Sequence, residues 1–217
     1  MTKRLPLIVM LSLATVFATL QATSVQAATA KQLIWRQEFN GKAYIKPDAA
    51  IWGYDLGGQN ANNEEQLYTN SKYNVAMDGR GNLVITAKRI VEGSAQWEKC
   101  ISCKFSSARI KTQDKVGFRY GRMEARIKMP AGVGTWPAFW MLGTDIEQVP
   151  WPQCGEIDIM EGRGDLASTL YGTLHGPGYS GEFGKGKVID TNVTLSDDYH
   201  IYAVEWIEDE ILWFFDD

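Results

Sequence analysis

From Arg122 to Met129 the chain alternates charged and apolar positions without a break. Arg122, Glu124, Arg126 and Lys128 are charged, and Met123, Ala125, Ile127 and Met129 between them are apolar. A period of two belongs to a strand with one face on a core and the other in water, so Gly117–Met129 is expected as a strand. Thr135–Gly143 is almost wholly apolar and suits a central strand buried on both sides. Within it Phe139 and Met141 have opposite parity to Trp140 and are the core candidates. Shorter strand-like runs cover Leu33–Phe39, Tyr73–Met77, Leu83–Lys88, Thr169–His175, Tyr199–Trp206 and Ile211–Phe215, with Asp78–Asn82 as a turn. Pro47–Asn63 is irregular, and long loops of this kind often carry binding residues. Past residue 27 no run has convincing helical length, and the class expected is all-β.

One run departs from simple alternation. Glu156-Ile157-Asp158-Ile159-Met160-Glu161 has β-branched residues between its acids and glycines at its flanks, and reads as a strand. Glu156 and Asp158 share one face, Ile157 and Ile159 the other. In a regular strand Met160 would come next on the acidic face, and Glu161 would turn into the apolar side, where a lone ionised carboxylate is costly. One extra residue at Met160, a β-bulge, would return Glu161 to the face of Glu156 and Asp158. Three like charges in a row are not explained by stability. A solvated acidic edge and a calcium site are two readings. The third is retaining glycoside hydrolysis, in which one carboxylate attacks the anomeric carbon and another protonates the leaving oxygen. Like-charge coupling would keep one of the pair protonated near neutral pH.

Composition adds an address. Lys3 and Arg4, the apolar stretch Leu5–Leu20 and Val25-Gln26-Ala27 form a secretory signal peptide over residues 1–27. Its loss takes the formal net charge from −4 to −6, since only Lys3 and Arg4 are charged there. An acidic secreted domain suits a neutral partner and not nucleic acid, and no later segment is fit to span a bilayer. All eight tryptophans follow the signal, an excess that suggests sugar-stacking platforms. Cys100 and Cys103 could close a small disulfide loop; a zinc site would need a second pair. Cys154 reads as a buried, inert thiol.

The acidic run resembles the bulged signature of glycoside hydrolase family 16, most closely its bacterial laminarinases, the endo-β-1,3-glucanases. The resemblance runs from about Leu33 to the last residue. It implies a β-jelly-roll sandwich (concanavalin A-like) with a concave cleft, occupying residues 28–217 after the signal. It implies Glu156 as nucleophile, Glu161 as general acid/base and Asp158 as the residue tuning the pair. It carries over Asn63 in Asn62–Thr69 as a sugar contact, though a turn-capping asparagine reads nearly as well. Trp136, Trp140 and Trp151 become aromatic walls around the cleaved bond. Glu124 and Arg126 become cleft-floor residues, where the alternation alone favours a solvated exterior with cross-strand ion pairs. His175 matches a cleft position, beside a framework reading of equal weight; His200 reads as framework. Glu38 and the Gly79 backbone match two ligands of a structural calcium, and catalysis itself requires no cofactor. Family members continue past Asp217 with further strands, so the domain is expected to lack its C-terminal strands.

The activity expected is endo-hydrolysis of β-1,3-glucan with retention by a secreted monomer whose partner is the polysaccharide. A non-catalytic β-glucan-binding module is the alternative from another class. The same chemistry on mixed-linkage glucan or a galactan is the alternative within the class.

Overall fold

A computed structural model describes residues 31–58 and 61–217. The signal-peptide segment 1–27 lies outside the described residues. The chain divides between Gln37 and Glu38, and every described strand lies in the part from Glu38 onward.

That part opens with small strands: β1 (Gly53–Asp55), β2 (Gly57–Gly58), β3 (Gln66–Tyr68), β4 (Val75–Met77), β5 (Leu83–Ile85), β6 (Lys88–Arg89), β7 (Phe105–Ser107) and β8 (Arg109–Lys111). β4 and β5 form the hairpin expected around Asp78–Asn82. β3 pairs in parallel with β7, which brings residues 64–68 beside residues 105–109. One short helix, α1 (Ala95–Lys99), is capped by the Ser94 side chain, which accepts from the Trp97 amide. Cys100 and Cys103 are joined as a disulfide and pack with Leu67 and Ile90.

The longer strands follow: β9 (Gly121–Ile127), β10 (Ala138–Leu142), β11 (Glu156–Arg163), β12 (Leu166–His175), β13 (Lys185–Asp190), β14 (His200–Trp206) and β15 (Ile211–Phe215). They form two antiparallel sheets, β10-β11-β12-β13 and β15-β14-β9. Their inner faces meet in one core. Ile159 of β11 packs with Met123 of β9 and Val204 of β14. Met160 packs with Met129, Leu170, Leu195 and Tyr202. Each such buried side chain contributes roughly 1.5–3 kcal/mol relative to exposure. The result is the all-β jelly-roll sandwich expected, with Phe139 and Met141 on its core side as their parity required.

Two strand expectations need correction. Leu33–Phe39 carries no strand. Leu33 and Ile34 are exposed, and Phe39 turns left-handed at φ 52°, which ends an extended run there. Thr135–Gly143 is not buried on both sides. Only Ala138–Leu142 is strand, and Trp140 lies on the open face of its sheet opposite Asp158.

Candidate active site

The site is built by an irregularity in β11. Against β10, Met160 pairs with Phe139 and Asp158 with Trp140, so Ile159 has no opposite number. Against β12, Asp158 pairs with Thr173 and Glu161 with Tyr171, so Ile159 and Met160 together oppose Gly172. This is the β-bulge expected, spread over Ile159 and Met160. Both of these neighbouring side chains are buried in the core. The next residue, Glu161, therefore returns to the face of Glu156 and Asp158. The bulge is held from behind by the second sheet, where Trp213 of β15 donates its Nε1–H to the Asp158 carbonyl oxygen at 2.9 Å. Gly172 permits this approach, since a Cβ there would lie 2.4 Å from Trp213 Nε1.

The three acids have different surroundings. Asp158 is only 4 % exposed. Burial first, then the charges of Glu156 and Glu161 and a hydrogen bond with Glu156, push its carboxyl up to about 8. Glu161 is also raised, by burial and then by Glu156, against the opposing pull of Trp136 and His175. Trp136 donates its Nε1–H to Glu161 Oε1 at 3.0 Å. Trp151 donates its own to Glu156 Oε2 at 2.5 Å. Pro137 and Thr135, on either side of Trp136, accept from the Gly162 and Gly164 amides and fix that indole beside β11. Each outer carboxylate thus has a half-exposed indole as donor, and the inner carboxyl has neither an indole donor nor solvent.

His175 pairs across the ladder with Glu156, and its Nε2 lies 3.2 Å from Asp158 Oδ2. Its Nδ1 is buried without a hydrogen-bond partner, and Gly184 packs so closely on the ring that a Cβ would come within 2.6 Å of Cε1. The structure places this histidine behind Asp158 as its partner.

Glu124 and Arg126 are not brought to the site. Met123, their neighbour in β9, faces the core against Ile159, so they project from the far side of the second sheet. Glu124 accepts from Arg122 Nε at 2.7 Å, and the Arg126 guanidinium lies 4.0 Å from the Tyr199 ring centroid. The solvated-exterior reading holds there, and the cleft-floor reading is overturned by parity. Asn63 sits in a short turn at φ 59°, and the hydrogen bonds tying that loop to the site run from Glu64, its neighbour. Cys154 is half-buried, with its thiol 3.5 Å from the Gly155 carbonyl oxygen. His200 is framework as expected, bound to Asp216 and stacked on Phe215.

The calcium expected at Glu38 and the Gly79 backbone would draw on one carboxylate and one carbonyl oxygen. Among the described residues no group of three or more His, Cys, Asp or Glu is placed to hold a metal. Asp78, in the same turn, spends both oxygens on the Arg80 and Asn82 amides and the Asn82 side chain. Gly79 answers to its own φ of 79° and to Ala43, whose amide nitrogen would lie 3.0 Å from a Cβ.

Residues that strand patterning misses complete the open face. Arg109 of β8 holds Glu64 at 3.1 Å and the Tyr68 hydroxyl at 3.0 Å. Its guanidinium lies 4.5 Å from the Tyr68 ring centroid and 5.6 Å from that of Trp140, beside Asp158. Gln66 donates to both Glu64 and Tyr68. Tyr171, opposite Glu161, shares an open pocket of about 510 Å³ with Trp136, Arg163 and Asp165. Among the described residues no helix is long and apolar enough to cross a membrane.

The chain is similar to known proteins over most of its length. Residues 61–217 match the family described as glycosyl hydrolases family 16. A β-glucanase of Rhodothermus marinus is 38 % identical over 190 residues, which are 86 % of this chain and 63 % of that protein. Glucan endo-1,3-β-glucosidase A1 of Niallia circulans is 36 % identical over 211 residues, covering 88 % of this chain and 29 % of its own length. The chain thus spans less than two thirds of either relative. Among solved structures, the laminarinase catalytic domain of Thermotoga maritima superposes with a TM-score of 0.74 at 40 % identity, covering 85 % of this chain and 74 % of that one.

Proposed function

The chain belongs to glycosyl hydrolase family 16, and from that premise we propose that it is a secreted endo-β-1,3-glucanase acting with retention of configuration. The observation that carries the reading is the bulged strand, which sets Glu156, Asp158 and Glu161 on one open face between two indole donors. The relatives named for β-1,3-glucan or laminarin supply the substrate class. The basic n-region, apolar core and Val25-Gln26-Ala27 motif supply the address.

In this mechanism Glu156 attacks the anomeric carbon while Glu161 donates its proton to the departing glycosidic oxygen. The raised proton affinity of Glu161, from burial and the charge of Glu156, favours the protonated form this step needs. In the second half, Glu161 takes a proton from water, whose oxygen bonds to the anomeric carbon as the bond to Glu156 breaks. Asp158 holds a proton between the two and hydrogen-bonds Glu156, so that negative charge is not stacked three deep before attack. His175 positions Asp158 from behind. Trp136, Trp140 and Trp151 offer flat faces to the sugars, and Arg109, held by Glu64 and Tyr68, offers donors to hydroxyls beside Trp140.

The test is incubation of the purified chain with laminarin, lichenan and agarose, following reducing ends and the anomeric configuration of the first products by NMR. Fastest release from laminarin, with β-configured products, is expected. Binding of laminarin without release would assign a binding module instead, and α-configured first products would overturn the double displacement.

A further inference from the structure

The pocket beyond Glu161 has a composition that catalysis at the acids does not use. After Glu161, Gly162 is buried and Arg163 returns to the open face by strand parity. Arg163 and Asp165 grip each other through two contacts, Nε to Oδ1 at 3.2 Å and Nη2 to Oδ2 at 2.7 Å. The pair is 55 % and 40 % exposed, so it adds little to stability. It stands over an open pocket of about 510 Å³ whose other walls include Trp136 and Tyr171. Trp136 is 49 % exposed although its Nε1–H is committed to Glu161, which leaves the ring face open beside the proton donor.

We propose that this pocket holds the leaving-group half of an uncharged polysaccharide, with one hexose against Trp136 and the next gripped by the Arg163–Asp165 pair. The inference rests on the hydrolase reading above and adds the residues and the charge class of the sugars on that side. A hydroxyl both donates and accepts, and the ion pair presents both complements side by side: guanidinium N–H groups left over from the pair, and carboxylate lone pairs. The Tyr171 hydroxyl, across the ladder from Glu161, is a further partner. Arg163 is the only cation lining the pocket, against Glu161 and Asp165. The Arg163 charge is already answered by Asp165, so a sulfated or carboxylated sugar would find no free cation there, and a neutral one needs none.

The experiment compares two substrates on the full chain. Laminaripentaose places sugars on the leaving-group side, and 4-nitrophenyl β-laminaribioside places only the phenol there. For Arg163→Ala and Asp165→Ala, the ratio of kcat/KM on the pentaose to kcat/KM on the aryl glycoside is expected to fall about tenfold, as loss of hydrogen bonds to charged groups would give. The aryl glycoside reports folding and acid-site integrity in the same preparation. An unchanged ratio overturns the assignment. In a second arm, laminaribiose and its 6-sulfate compete as acceptors for the glycosyl-enzyme formed from the aryl donor. The acceptor O–H gives its proton to Glu161 as its oxygen displaces Glu156 from the anomeric carbon. Transfer to the neutral acceptor is expected to dominate, and equal transfer overturns the charge class. If the native chain cleaves neither substrate, the hydrolase reading fails first and takes this inference with it.

Discussion

Two strands of this domain carry a row of three charged side chains at successive open positions, and the two rows differ in kind. On β9, Arg122, Glu124 and Arg126 alternate in sign. Arg122 bridges Glu124 at 2.7 Å and Glu205 at 3.3 Å, and the row faces solvent on the far side of its sheet. Each charge there has water or a partner, and the ordinary value of such surface pairs is about 0–1 kcal/mol. On β11, Glu156, Asp158 and Glu161 have one sign and meet indole N–H groups and an imidazole in place of arginine or lysine, while Arg163 beyond them is taken up by Asp165. Burial and mutual repulsion there raise proton affinities. A charged row built for solubility is mixed and wet. The β11 row, for which we propose proton transfer, is like-signed, partly dry and held in place by its second neighbours.

Substitutions should separate the two rows. Removing the proposed nucleophile with Glu156→Ala should cost at least about four orders of magnitude in kcat on laminarin. Glu124→Ala should stay within about twofold, since surface changes away from a site are nearly neutral. Reducing-end assays on variants checked by circular dichroism measure both, and a comparable loss in Glu124→Ala would return β9 to the cleft. Glu161→Ala should cost about a hundred- to ten-thousandfold on laminarin. It should cost far less on a dinitrophenyl glycoside, whose leaving group needs no proton; equal losses on the two would remove the acid role.

Much of this contrast is already present in the chain's pattern, and the missing part has a definite cause. The spacing of Glu156, Asp158 and Glu161 demanded one surplus residue, because only a bulge keeps Glu161 out of the core. The structure spreads that surplus over Ile159 and Met160, a detail of two different ladders that a single strand cannot specify. Glu124 and Arg126 are put on the cleft floor by the resemblance alone, against the solvated exterior that the alternation favours; a shared face does not say which side of the molecule it looks toward. The sheet to which β9 belongs decides that. Arg109 gave no periodic signal at all. It meets Glu64 only through the parallel pairing of β3 with β7 and a separation of 45 residues. Leu33–Phe39 shows the converse, a strand-like run that forms no strand once Phe39 turns left-handed.

Smaller effects sharpen the comparison further. Asp158→Asn keeps the shape and removes the buried charge, and should lower kcat about tenfold or more through loss of the shared proton. It should also change how stability depends on pH. The Asp158 carboxyl is raised to about 8 in the folded chain. The folded state therefore holds a proton that the unfolded chain releases at ordinary carboxyl pH, and this contribution is complete in acid and lost as pH rises through about 8. Melting curves of the native chain should fall across that window, and those of Asp158→Asn should be flatter, by on the order of 5 °C at the alkaline end. Parallel curves would show that Asp158 is not the proton holder. Smallest of all, Arg122→Ala should cost under about 1 kcal/mol and leave activity in place, as a solvated pair predicts.

The central claim is that the bulge brings Glu156 and Glu161 to one sugar, with Glu156 as the attacking group. Incubation with a 2-deoxy-2-fluoro-β-laminaribiosyl fluoride, followed by proteolysis and mass spectrometry, tests it most directly, because the fluorine slows release of the glycosyl-enzyme. The label is expected on the Glu156 carboxylate alone. A label on Asp158 or Glu161, or turnover of the fluoride without any covalent adduct, would contradict it.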